Sequence, residues 1–138
     1  MKKTTKITIT LLLVLAMLVP ATVGALAASS QKVQPRWTSI FTIELNMSFD
    51  GDEGNATGGA RKQSTATNIE GTLTVYKLVG NSRVYIADGY AQKSVGTLIV
   101  SVDFYAESGA TYIGVFEVTA YTGSAAETET VDVTKTCP

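Results

Sequence analysis

The sequence contains no histidine and a single cysteine, Cys137. The first absence removes the commonest general base, and with it any serine or cysteine triad built on histidine. Together they rule out a structural zinc site, which draws on those two residue types. One cysteine leaves no intrachain disulfide to form, so stability must come from apolar burial and strand pairing. With no base beside it, Cys137 reads as an unpaired or adventitiously oxidised tail residue rather than a nucleophile. Helical apolar spacing is missing beyond residue 27, and no internal repeat is present, which sets aside a solenoid. Positive charge is scarce as well. Without residues 1–27, eight basic residues stand against twelve acidic ones, and a phosphate backbone needs a basic stripe that is not there. Nucleic acid is therefore not an expected partner.

What is present begins with an export signature. Residues 1–6 carry three lysines and no acid, residues 7–19 are apolar except for Thr8 and Thr10, and Ala25-Leu26-Ala27 offers small residues where a signal peptidase reads. The apolar run falls short of the roughly 20 residues that span a bilayer. Residues 1–27 are thus expected to be a cleaved signal peptide, leaving a secreted chain without membrane attachment. Residues 28–36 are polar and aperiodic, a disordered lead-in. The remaining chain is long enough for one domain with a core of its own.

From Trp37 onward a period of two takes over. Trp37, Phe41, Ile43, Leu45, Met47 and Phe49 alternate with polar residues, and Ile40 breaks the rule in the way a switch of sheets or a nearby bulge would explain. Asp50 to Asn55 has the glycine, acid and amide content of a hairpin loop. A small-residue strand follows over 55–66, where Gly58-Gly59 marks either a bulge or the close approach of a neighbour. Further strands are predicted at 68–78, 83–91, 97–105, 111–122 and 127–135, with Val84, Ile86 and Tyr90 opposite in parity to Tyr85 and Ala87. The organising stretch is 97–122, where Leu98, Val100, Val102 and Phe104, then Tyr112, Phe116, Val118 and Ala120, present two apolar faces across the turn Ser108-Gly109-Ala110. Seven strands with turn signals between them predict an all-β fold, a single antiparallel immunoglobulin-like sandwich over residues 37–136.

The corner Glu107-Ser108-Gly109-Ala110-Thr111-Tyr112 resembles the tyrosine corner of immunoglobulin-like and fibronectin type III domains. The likeness gives Tyr112 a structural role. Ala106 departs from the type III pattern, and the paired cysteines of antibody domains are absent. A wider resemblance, carried by Pro35-Arg36-Trp37, Gly71-Thr72-Leu73-Thr74-Val75-Tyr76-Lys77, Ser108-Gly109 before Tyr112, and Val118-Thr119-Ala120-Tyr121, is to small uncharacterised proteins exported by Firmicutes. It implies a fold, a compartment and a structural place for Trp37, and it carries over no functional residue.

Chemistry is sparse. Asp50, Asp52 and Glu53 are the acids clustered in sequence, and they read as a solvated turn. The alternative is a carbohydrate-active enzyme using them as acid and base. An EF-hand reading fails, since Gly54, Asn55 and Arg61 fall where an oxygen ligand, the glycine and the bidentate acid belong. A looser calcium site on this hairpin stays open, and no cofactor is expected. The surface is more informative. If 97–122 buries one parity, the other turns Tyr105, Ile113, Val115 and Tyr121 outward, with Tyr76 beside them if the third strand neighbours the sixth. The expected function is a non-enzymatic module binding an unidentified protein or glycan through that tyrosine-bearing face. A third reading gives the threonine-rich edge 127–135 a role in self-assembly.

Overall fold

The protein is described here by a computed structural model that covers residues 37–138. The expected signal peptide, the lead-in, and with them Pro35 and Arg36 of the tryptophan motif lie outside the described residues. Seven strands run in chain order: β1 (Ile40–Asp50), β2 (Glu53–Lys62), β3 (Asn68–Val79), β4 (Ser82–Lys93), β5 (Thr97–Tyr105), β6 (Thr111–Thr122) and β7 (Ala125–Thr136). All pairings are antiparallel, in a three-stranded sheet β1-β2-β5 and a four-stranded sheet β4-β3-β6-β7. This is the expected immunoglobulin-like sandwich, with the third strand beside the sixth and the fifth and sixth in opposite sheets.

Local chemistry explains the turns. Gly51-Asp52, Gly80-Asn81 and Gly123-Ser124 each close a hairpin in two residues, with the glycine at φ of 62°, 60° and 61°. A glycine at the first central position is what such short loops demand. The first turn is therefore tighter than the loop expected over 50–55, and Glu53, Gly54 and Asn55 already pair with Tyr105, Phe104 and Asp103.

The inner faces meet around Phe116. A Cβ added at Gly58 or at Gly71 would lie 2.7 Å from its ring. The ring is thus closed between β2 of one sheet and β3 of its own, which settles Gly58 as a close approach. Smallness along β2 makes room for large residues opposite, and Leu73, Leu98 and Val118 fill in around them, all fully buried. At one end Phe49, Phe104 and Tyr112 form an aromatic cluster with ring centroids 5.1 to 6.2 Å apart. Tyr112 is buried, and its hydroxyl accepts a hydrogen bond from the Glu107 backbone N–H at 2.9 Å. The corner resemblance is therefore matched in geometry. Trp37 packs half-buried against the same core.

Three sequence expectations are corrected. The bulge foreseen in β1 lies between Ile40 and Thr42, and it buries Ile40 while leaving Phe41 more than half exposed under the Arg61 guanidinium, 5.6 Å from the ring centre. Cys137 is no loose tail residue: it is an unpaired thiol, 1% exposed, whose backbone N–H donates to Ala110 and whose carbonyl accepts from Gly109. In β4 the alternation slips, because Val75 opposes Ala87 while Tyr76 opposes Tyr85, leaving Ile86 as the extra residue. Ile86 and Ala87 both pack on the core.

Candidate functional site

The slip in β4 decides which tyrosines share a surface. Counted strictly by twos, Tyr85 and Tyr90 would lie on opposite faces. With Ile86 absorbed as a bulge, Tyr85 opposes Tyr76 and Tyr90 opposes Thr72, and both project outward from the four-stranded sheet. Along β6, Ile113, Val115 and Tyr121 occupy the same outer face, with Ile113 directly opposite Tyr76. Tyr76, Tyr85 and Ile113 therefore form one row across three strands, while Tyr90 and Tyr121 flank Glu70 from either side.

The residues expected to form one surface are only partly brought together. Tyr76, Val115 and Tyr121 are half-buried on this face, and Ile113, expected to be exposed, is only 6% accessible. Its row neighbours are large enough to shelter it even without a third layer. Tyr105 does not belong to the patch. It ends β5, on the outer face of the other sheet, opposite Glu53 and 68% exposed. The split follows from the sheet order: β5 and β6 are neighbours in sequence but not in hydrogen bonding. Tyr85 and Tyr90, at 56% and 59% exposure, are the most open rings of the tyrosine face, and the parity count hid their common side.

Three of the four phenols on this face are held by a carboxylate. Tyr85 donates to Asp88 in a short hydrogen bond, Tyr90 donates to Glu70 Oε2 at 2.9 Å, and Tyr121 donates to Glu70 Oε1 in another short one. These bonds to carboxylates, aided by some desolvation, push all three phenol pKa values above their ordinary range. Register also places Glu117 opposite Thr72 and Asp132 opposite Val115 on the same side. Among the described residues, four carboxylates thus share the face with one cation, Arg83.

The clustered acids lie elsewhere. Asp50, Asp52 and Glu53 are exposed at one end of the three-stranded sheet, where with Asp103, Phe104 and Tyr105 they line an open cavity of about 620 Å³. Among the described residues, no three histidine, cysteine, aspartate or glutamate side chains are grouped so as to hold a metal ion. The edge strand β7 carries its threonines outward, two of them bonded to threonines of β6, at Thr111–Thr136 and Thr119–Thr128.

No family model matches the chain, and neither does any curated protein. Among solved structures it is similar over part of its length to a β-glucuronidase from Parabacteroides merdae, at 16% identity and a TM-score of 0.46. It is also similar to a protein from Archaeoglobus fulgidus, at 11% and 0.40, and to β-glucosidase 3B from Thermotoga neapolitana, at 14% and 0.34. These matches cover 72%, 70% and 69% of this chain. The chain spans 14% of the glucuronidase, 94% of the Archaeoglobus protein and 17% of the glucosidase.

Proposed function

We propose that the chain is an exported, non-enzymatic binding module that takes a protein or glycan partner on the outer face of its four-stranded sheet. The observation that carries this reading is the gathering of four of the six tyrosines on that face. Rigid aromatic side chains offer contact area at low entropic cost, and two of these rings are more than half exposed. The charged start, apolar run and small-residue site of residues 1–27 support export, as does the likeness to small exported proteins of Firmicutes. The absence of histidine supports a module without catalysis, as does the exposure in a hairpin of Asp50, Asp52 and Glu53, the acids clustered in sequence.

The test is capture on arrays of oligosaccharides and of synthetic peptides by the full chain and its variants. Loss of every captured ligand in Tyr85→Ala and Tyr90→Ala, with retention in Tyr105→Ala, is the expected result. The reverse pattern would move the binding surface to the three-stranded sheet, and hydrolysis of an arrayed glycan would replace the reading with an enzyme.

A further inference from the structure

Resting on the binding role just proposed, we infer that the occupant of the tyrosine face is an extended basic peptide segment, with arginine or lysine side chains seated on Tyr85 and on Tyr90. Two observations select that chemistry. The first is charge: among the described residues Glu70, Asp88, Glu117 and Asp132 share the face with Arg83 as its one cation, so an acidic polymer is repelled and a cationic one attracted. The second is the pairing of ring and carboxylate. Asp88 holds the hydroxyl of Tyr85, and Glu70 holds that of Tyr90, which leaves beside each exposed ring a carboxylate with unused lone pairs. A guanidinium lying on such a ring reaches the π face and the carboxylate together. A neutral sugar can also donate its hydroxyls to these carboxylates, but unlike a cation it gains nothing from the net negative field of the face.

Charge alone does not choose the surface, because the outer face of the three-stranded sheet also carries Glu44, Glu53 and Asp103. The tyrosines choose it. Spacing then defines the ligand. In the four-stranded sheet Tyr90 stands opposite Thr72 and Tyr85 opposite Tyr76, four residues apart along β3, or about 14 Å at strand rise. An extended peptide covers that span between residues i and i+4, so its two cations belong at those positions.

The probe is a blocked serine–threonine peptide carrying arginines at i and i+4, titrated into the full chain by calorimetry. A control peptide carries serine at both positions, and neutral cello- and chito-oligosaccharides are run alongside. Binding of the arginine peptide is expected, weakening as salt screens the carboxylates. It should fall roughly tenfold in the Tyr85→Ala/Tyr90→Ala double variant, the size of two exposed cation–π contacts. Tyr105→Ala should leave it unchanged, and circular dichroism checks that each variant is folded. A neutral oligosaccharide bound with the same tyrosine dependence, while the arginine peptide is ignored, would overturn this inference and leave the binding role standing. Arginine-peptide binding that survives the double variant would overturn the assignment of the seat. Silence with every probe and on both arrays would overturn the inference and the role together.

Discussion

The two outer faces of this sandwich are built on the same antiparallel ladder and finish as opposite surfaces. On the three-stranded sheet, short polar side chains use one another. The Asn55 amide donates to Ser101 at 3.0 Å and to Asp103 at 2.6 Å, while Thr57 donates to Asn55 at 2.9 Å and shares a 3.1 Å hydrogen bond with Ser101. Their hydrogen-bonding capacity is largely consumed within the face. On the four-stranded sheet three of the four phenol hydroxyls are also consumed, by Asp88 and Glu70, but they sit at the tips of long rings. Satisfying the tip leaves the ring plane uncovered. Side-chain length, not the presence of hydrogen bonds, separates a closed polar coat from an adhesive one.

The most direct way to break this comparison is to remove what the two faces have in common. Phe116→Ala empties the volume between Gly58 and Gly71 and should cost about 3–5 kcal/mol of stability. Urea melts should then show both faces unfolding at one lowered midpoint. A finer version uses neighbouring glycines of β2. Gly58→Ala drives a methyl into the Phe116 ring and should cost about 1–3 kcal/mol. Gly59 points outward with nothing within 4 Å, and Gly59→Ala should stay within about 0.5 kcal/mol of the parent. Equal effects at the two positions would mean that the inner and outer sides of β2 have been misassigned.

How far the sequence already carried this picture depends on where its period of two holds. In β5 and β6 it holds best, and the bounds 97–105 and 111–122, most of the buried residues and the corner role of Tyr112 were legible, while the burial of Ile113 against that parity was not. In β1 the misfit of Ile40 betrayed the bulge, but not that Phe41 would be the residue turned out. In β4 nothing betrayed it. Ile86 is apolar in either parity, so the extra residue was silent and the pairing of Tyr85 with Tyr90 was lost. Sheet membership was beyond alternation altogether, since a parity names a side of a strand and not its neighbours. That is why Tyr105 was grouped with Tyr121. Cys137 was misjudged for a similar reason, its burial being set by backbone bonds to Gly109 and Ala110.

The faces also meet along one flank, and a smaller effect tests that junction. There β1 and β7 are joined by side chains and not by a strand ladder. The Glu127 carboxylate accepts from the backbone N–H groups of Thr38 at 3.0 Å, Ser39 at 2.5 Å and Ile40 at 3.2 Å, and the Lys135 ammonium donates to the Met47 carbonyl at 2.9 Å. Partial burial acts to raise the Glu127 pKa, but the backbone donors and the Ser39 hydroxyl outweigh it and hold it below the ordinary carboxylate value. A depressed folded-state pKa contributes stability above the unfolded value, and that contribution is lost as pH falls through the folded one. Glu127→Gln should cost on the order of 1 kcal/mol at neutral pH after solvent screening. It should also flatten the acid limb of the stability curve, as read by urea midpoints through the acid range. An unchanged acid limb would leave the flank held by packing alone.

The smallest effect sharpens the comparison most, because it reads one face without touching the other. Glu70 accepts from Tyr90 and Tyr121 together, and those bonds are the leading cause of their raised phenol pKa values. A raised folded-state value contributes stability below the unfolded phenol value and loses it as pH climbs through the folded one. Glu70→Gln removes the negative charge while keeping the side-chain shape, so both phenols should ionise at lower pH in a near-ultraviolet absorbance titration. The melting midpoint at neutral pH should scarcely move, since these groups stand in solvent. A titration that does not change would mean that Glu70 does not tie the two rings together. The tyrosine face would then be four separate side chains on a sheet, no more organised for binding than Tyr105 is on its own.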